Sequence, residues 1–418
     1  MQASRTIYLK KLIAKRHNPH LKIITGIRRC GKSYLLKTLY CQYLQSVGVS
    51  PEQIAVIELD DDRFEELRDR KVLREYVEQR CPDPQRQYYI IIDEIQMVPA
   101  FEGAIVSLHH HPNYDIYITG SNSQFLSKDI STRFKDRGTE IRIHPLAFRE
   151  FYETYAGDKH YALRDYLTFG GMPYLLHEPD EREKLRYLTD LIAKTYLTDV
   201  VERHRLRKSA ELSALFDVLC STTGSLVNPT GLAGTLRAEH HLKIDRDTVF
   251  AYIGYLEDAF LFEAARRYNI KGKQYLGTPQ KYYPEDVGLR NARLNFRQVD
   301  HGFGVETVVY NELRQRGYLV DVGMLECRER NRDGVQSYQQ KEVDFVARLA
   351  SKEYYLQVMA QIPAGRHGGN EYRNLLQVPG SFRKIAVINA PLRAYTDSNG
   401  ILNISLEEFL LNPDSLDL

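Results

Sequence analysis

Lys32, Ser33, Asp93 and Glu94 are the residues whose types and spacing point most directly to chemistry. Lys32 and Ser33 close the run Gly26-Ile27-Arg28-Arg29-Cys30-Gly31-Lys32-Ser33. That run fits the P-loop pattern of Gly, four residues, Gly, Lys, then Ser or Thr. Such a loop turns its backbone N–H groups onto phosphate, the lysine reaches the β- and γ-phosphates, and the hydroxyl ligates Mg²⁺. Asp93 and Glu94 end the run Tyr88-Tyr89-Ile90-Ile91-Ile92-Asp93-Glu94, about 60 residues later. An apolar strand ending in two carboxylates is the Walker B arrangement. Asp93 is then expected to hold Mg²⁺, directly or through water, and Glu94 to polarise the attacking water.

These residues need particular elements to position them. Leu21-Lys22-Ile23-Ile24-Thr25 reads as a short buried strand before the loop, and Tyr34, Leu35, Leu36, Leu39, Tyr40, Tyr43 and Leu44 recur at helical spacing after it. A strand delivers the chain to a glycine-permitted turn, and the next helix points its positive dipole end at the same anion. The candidate nucleotide-contacting set is therefore Gly26, Arg28, Arg29, Cys30, Gly31, Lys32, Ser33 and Tyr34, with Ser33 and Asp93 as metal ligands. No guanine-reading Asn-Lys-x-Asp occurs, so the expected cofactors are ATP and Mg²⁺.

Further strands are expected at Ile54–Leu59, Tyr114–Gly120 and Glu140–Ile143, with helices at Phe64–Val77, 95–110 and Gln124–Ile130. Asp60-Asp61-Asp62 reads as a solvated loop or, alternatively, a carboxylate cluster for metal. His109-His110-His111 reads as a surface helix end. After the fourth strand, Ser121 or Asn122 is the candidate γ-phosphate sensor, the alternative being an ordinary helix cap. Arg133 and Arg137 are candidates to place charge on a transferring phosphoryl group, in cis or from a neighbouring subunit.

With 418 residues, two or three domains are expected. A net charge of +2 gives no global nucleic-acid signature, so any basic footprint is local. The five cysteines are scattered, without Cys-x-x-Cys spacing, which argues against a zinc site or disulfide framework. No stretch approaches 18 apolar residues and no h-region is present, so no membrane partner and a cytoplasmic location are expected.

The motifs G-I-R-R-C-G-K-S, I-I-I-D-E-I-Q, I-T-G-S-N-S and S-T-R-F-K-D-R…P-L-A-F-R-E-F resemble a prokaryotic family of AAA-type ATPases whose members carry a C-terminal domain of unknown function. The resemblance continues through Phe169-Gly170-Gly171-Met172-Pro173, Tyr196-Leu197-Thr198-Asp199-Val200 and Glu342-Val343-Asp344-Phe345. It implies a Mg-ATPase, and it supports Arg137 as a finger or sensor.

The expected architecture is α/β: a P-loop NTPase parallel sheet over 1–150, a helical connector over 151–215, a winged-helix-like region over 216–297, and a smaller α/β domain over 298–418. Helices are expected at Glu150–Tyr155 and Tyr161–Phe169, then a long amphipathic segment from Asp180 to Arg205. Gly170-Gly171-Met172-Pro173 breaks them, near the nucleotide face or a hinge. The winged-helix reading takes helices at Ala214–Cys220, from Asn228 onward and at Asp247–Leu256, then a wing of Phe260–Tyr268 and Gln280–Pro284 around Lys271-Gly272-Lys273. From Phe262 to Arg297 there are eight Lys/Arg and three Asp/Glu, a local excess of +5 interleaved with Tyr268, Tyr275, Tyr282 and Tyr283. Such a tract suits phosphate contact, with DNA, RNA and protein all open as partners, and a homo-oligomer equally open. In the last domain, Glu306 on a helix, Asp344 on a strand and then a third strand resemble the restriction-endonuclease-like fold. That chemistry needs an acid and then a lysine on the third strand, where this chain has Gln357 and Met359. A binding scaffold without nuclease activity is expected.

Overall fold

The computed structural model describes residues 3–120, 137–297, 302–330, 336–360, 370–380 and 382–418. The chain divides into two compact units, residues 1–146 with 258–260, and residues 147–257 with 261–418.

The first unit is built on β1 (Leu21–Thr25), β2 (Ile54–Glu58), β3 (Tyr88–Asp93), β4 (Tyr114–Thr119) and β5 (Gly138–Arg142). All neighbours are parallel and the spatial order is β2-β3-β4-β1-β5. Every residue of β1 and β3 is buried, as expected for strands covered on both faces. Ile23, Ile57, Ile90, Ile92, Ile116 and Ile118 pack on one side with Leu73, Val77, Ile105 and Leu108. On β1 and β4 the apolar runs carry two charges, and these pair with each other. The Lys22 ammonium bonds the Asp115 carboxylate, which also accepts from Tyr117 Oη at 2.9 Å. Buried charges persist only with such partners.

Two expected helices are divided. Phe64 and Leu67 lie in a 3₁₀ stretch, Asp62–Arg68, and a separate α-helix runs Arg70–Arg80. The break is at Asp69, which is extended and caps the new helix by accepting from the N–H groups of Lys71 and Val72. Likewise the 95–110 segment is a 3₁₀ turn, Ile95–Met97, then a helix, Glu102–His109, with Pro99 between them.

The second unit begins with helices Phe148–Thr154 and Ala162–Phe169. Glu181–Asp190, a π-helical stretch Leu191–Leu197 and Thr198–Arg203 then form the long segment read from the sequence. Three helices follow, Ser209–Ser221, Pro229–Glu239 and Arg246–Asp258. Asn228 caps the second and Asp245 the third, each through its Oδ1 (2.8 and 2.7 Å). The expected wing is split. β6 (Phe262–Ala265) pairs antiparallel with β9 (Lys281–Pro284), whereas β7 (Arg267–Asn269) and β8 (Gln274–Tyr275) leave to join the C-terminal sheet. Lys271-Gly272-Lys273 is therefore the turn of an edge hairpin of that sheet.

The C-terminal sheet adds β10 (Leu319–Arg330), β11 (Gln336–Leu349), β12 (Lys352–Met359), β13 (Arg383–Ile388), β14 (Tyr395–Thr396) and β15 (Ile401–Ser405). Its order is β14-β15-β13-β12-β11-β10-β7-β8, with mixed directions.

The glycine pair Gly170-Gly171 packs on Asp286 and the helix Val287–Arg293. A Cβ on Gly170 would lie 2.1 Å from Asp286 Oδ1, and one on Gly288 would lie 1.9 Å from the Phe169 carbonyl oxygen. Asp286 Oδ2 accepts from Gly171 N at 2.7 Å and Oδ1 from Leu289 N at 3.1 Å. Burial pushes its carboxyl up to about 6, against the N–H groups of Gly171, Leu289 and Gly288, which favour the charged form. Because the folded value exceeds the unfolded one, this group's contribution is fully present below pH 3.8 and is lost as pH rises through 6. Between pH 4.5 and 7.5 the stability of wild type should therefore fall by about 2 kcal/mol relative to Asp286→Asn. Urea midpoints of the two proteins at both pH values measure this difference directly.

Candidate nucleotide site

β1 and β3 both end in the loops that carry the candidate residues, with β4 standing between them in the sheet. The chain leaves β1 through Gly26 at φ 140°, and re-enters a helix through Gly31 at φ 99°. A Cβ on Gly26 would meet the Ile143 carbonyl oxygen at 2.0 Å, so both the backbone angle and the close approach require glycine. The helix that follows runs Lys32–Tyr34, a π-helical stretch Leu35–Tyr40, and Cys41–Ser46.

Lys32 is buried, and its Nζ donates to the carbonyl oxygens of Gly26 (2.9 Å) and Ile27 (3.1 Å). The ammonium is thus held within its own loop, centred where the loop closes. Ser33 and Tyr34 are half-buried on the first turn, while Arg28 and Arg29 are exposed at the loop tip. Cys30 is fully buried and its thiol donates to the Ile143 carbonyl (3.3 Å), so it acts as a small packing residue.

Asp93 is 2 % exposed at the end of β3. Thr119, the last residue of β4, donates its hydroxyl to Asp93 Oδ1 (2.5 Å) and accepts from the Glu94 N–H (3.0 Å). One hydroxyl therefore holds the Asp93 carboxylate and the Glu94 backbone. Glu94 has left-handed backbone angles, φ 53° and ψ 46°, a conformation that costs a non-glycine residue about 1 kcal/mol or more. Its side chain accepts from Gln96 Nε2. On the far side of Asp93, Lys37 Nζ lies 3.4 Å from Oδ2 and 2.5 Å from Glu58 Oε2. Burial opposes the charge on Lys37, but its hydrogen bond to Glu58 and the nearby Asp93 outweigh this and raise its pKa.

The sequence reading missed Thr119, Lys37 and Glu58. Glu58, not the triplet that follows it, is the β2 carboxylate beside Asp93, with which it pairs in register. Asp61 instead caps a turn by accepting from Arg63 N (2.9 Å). Asn122, Ser121 and Arg133 lie outside the described residues. Arg137 is exposed and its carbonyl accepts from Leu21 N, at the start of β1. The loop begins five residues further on, roughly 16 Å along a strand. Arg137 is not brought together with Lys32 in the same chain.

A second buried ionic cluster lies in the C-terminal domain. Asp344 Oδ2 accepts from Gln357 Nε2 (2.7 Å) and Val358 N (2.8 Å). Lys281, 3 % exposed on β9, bonds Glu306 Oε1 (2.9 Å) and Glu342 Oε1 (2.6 Å), and Tyr283 donates to Glu306. Burial and the Glu306 charge push the Asp344 carboxyl well up, while Lys281 opposes them. Met359 instead belongs to an apolar cluster with Tyr372, Leu375 and Ile388. The basic tract is smaller than its composition suggests. Lys281 and Arg290 are buried, Arg293 pairs with Asp217, and Tyr282 and Tyr283 are core residues. Arg266, Lys271, Lys273 and Arg297 remain exposed.

Fold and site together define an AAA-type P-loop domain. A family model described as "AAA domain" matches residues 18–152, and one described as "Domain of unknown function (DUF8612)" matches residues 160–300. An uncharacterized protein of Haemophilus influenzae is 33% identical over 413 residues, covering 98% of each chain. One from Methanocaldococcus jannaschii is 26% identical over 403 residues, 93% of this chain and 85% of that one. The chain belongs to the same family as the Haemophilus protein. Among solved structures, Cdc6p of Pyrobaculum aerophilum aligns at TM-score 0.29 and 11% identity, over 70% of this chain and 92% of its own. The Orc1 protein of Aeropyrum pernix, solved with DNA, aligns at 0.32 and 13%, over 71% and 93%. At those scores the likenesses carry no argument about what this chain binds. Among the described residues, no helix is long and apolar enough to cross a membrane.

Removing Lys281 leaves Glu306 and Glu342 facing each other beside buried Asp344. Lys281→Met should cost about 3 kcal/mol, read as a lowered urea midpoint. Glu306→Gln in the same background should recover part of it, giving a coupling of about 1–3 kcal/mol in the double-mutant cycle.

Proposed function

We propose that the first unit binds ATP with Mg²⁺ and hydrolyses it, and that this drives conformational change in the second unit. The observation that carries this reading is the single Thr119 hydroxyl that holds both the Asp93 carboxylate and the Glu94 backbone, at the same end of the sheet as the Lys32 loop. Lys32 is assigned to the β- and γ-phosphates once its ammonium exchanges the Gly26 and Ile27 carbonyls for them. Backbone N–H groups of residues 28–34 are assigned to the phosphate oxygens, aided by the helix N-terminus. The donor set fits a hard divalent ion: a serine hydroxyl on the first helical turn and a buried carboxylate opposite. When bound, Mg²⁺ neutralises developing charge on the phosphates. Glu94 is assigned as the base that orients and polarises water. Its strained backbone supports this, because such strain concentrates at functional sites. Asn122 is retained as the sensor candidate. Arg137, given its end of the sheet, is assigned only to a site on a neighbouring subunit.

For the second unit we propose a winged-helix-like module over 216–297 and a restriction-endonuclease-like scaffold over 298–418, joined to the first unit by the 151–215 helices. Lys281, from β9 of the preceding module, holds the scaffold's Glu306 and Glu342 as an ion network rather than serving nuclease chemistry. The exposed Arg266, Lys271, Lys273 and Arg297 are assigned to DNA phosphates. A slow nucleotide switch for protein partners is the competing reading, favoured by the place of Arg137, whose backbone meets the start of β1 rather than the loop at its end.

Steady-state phosphate release from wild type and Glu94→Gln, with and without duplex DNA, separates them. Turnover should fall at least 100-fold in Glu94→Gln and rise with DNA. ATP binding with no turnover in either protein would leave the switch.

A further inference from the structure

The helix after the P-loop carries a second lysine. Lys37 follows Ser33 by four residues, within the π-helical stretch Leu35–Tyr40. Such stretches are uncommon and cluster at functional sites. Residues four apart share a helix face, so Lys37 stands one turn behind the hydroxyl assigned to the metal. Its ammonium lies 3.4 Å from Asp93 Oδ2 and 2.5 Å from Glu58 Oε2. Asp93 Oδ1 is already held by Thr119, so Oδ2 is the oxygen turned towards a cation. Glu58 and Asp93 are register partners on adjacent strands. Without a cation between them, two carboxylates would face each other in a site only partly open to water.

We propose that Lys37 is a tethered counter-cation, which holds Asp93 and Glu58 in the nucleotide-free protein and competes there with the divalent ion. This inference rests on the Mg-nucleotide reading of the site. Lys37 makes nucleotide-free metal binding weak, so that the ion enters together with the phosphates that add charge to the site. Glu58 is the alternative partner that keeps the ammonium nearby when Asp93 turns to the metal. Both are positioning residues and neither touches the reacting atoms.

The test uses the full chain and Mn²⁺ in place of Mg²⁺, with free Mn²⁺ read by electron paramagnetic resonance, first without nucleotide and then with ATP. In the absence of nucleotide, Lys37→Met should bind Mn²⁺ at least tenfold more tightly than wild type. Lys37→Arg, which keeps the charge, should match wild type within about threefold. Glu58→Gln should shift the opposite way, because the ammonium then has Asp93 alone. If Lys37→Met does not fold, the direction of the Glu58→Gln shift decides. Unchanged nucleotide-free affinity in Lys37→Met, or tighter binding in Glu58→Gln, would overturn the Lys37 assignment. If ATP fails to enhance Mn²⁺ binding by wild type, the nucleotide reading itself is overturned.

Discussion

The buried carboxylate of Asp93 constrains everything around it in the first unit. A charge that is 2 % exposed at the end of a fully buried strand is costly unless partners surround it. Thr119 on one side and Lys37 on the other are those partners, and each comes from a different element. β4 must lie beside β3 for the hydroxyl to reach, and the loop helix must run past β2 and β3 for the ammonium to reach. Strand order, helix direction and side-chain chemistry are thus tied to one group. The same hydroxyl fixes the backbone of Glu94 in a left-handed conformation, so local strain is held by the neighbouring strand.

The second unit buries charge for another purpose. Lys281, Glu306, Glu342 and Asp344 bring together β9, β11 and the helix Phe303–Gln315. A buried ion network adds little net stability compared with apolar packing, yet breaking one partner is costly. The network therefore fixes register between elements far apart in sequence. Asp286 does similar work at shorter range, capping the helix Val287–Arg293 and holding Gly171.

Local signals carried the first unit. The apolar runs at Leu21–Thr25, Tyr88–Asp93 and Tyr114–Thr119 are buried strands, and the glycines of the loop have the angles their chemistry allows. Less legible were groups whose role depends on which strands become neighbours. Thr119 looks like any strand-ending threonine until β4 lies beside β3. Glu58 was overshadowed by the Asp60-Asp61-Asp62 run because charge density is visible in sequence and strand register is not. By composition Lys281 reads as part of a basic tract, whereas its partners Glu306 and Glu342 lie 25 and 61 positions away. The expected wing is met only in part, for a similar reason: β6 and β9 pair as expected, but Arg267–Asn269 follows β6 almost without interruption and pairs with β10, some 50 residues later. Helix breaks at Asp69 and Pro99 were written in residue type, and were masked by the apolar spacing around them.

The central claim is that the loop from Gly26 to Ser33 is an anion cradle completed by the buried Asp93 of β3 and by Glu94 beside it. Hydrogen–deuterium exchange of the loop amides, with and without Mg-ATP, tests it most directly. The account predicts that millimolar Mg-ATP slows exchange over residues 28–34 at least tenfold in wild type, and leaves it unchanged in Lys32→Ala. Exchange over those residues that is identical with and without nucleotide in wild type would contradict it.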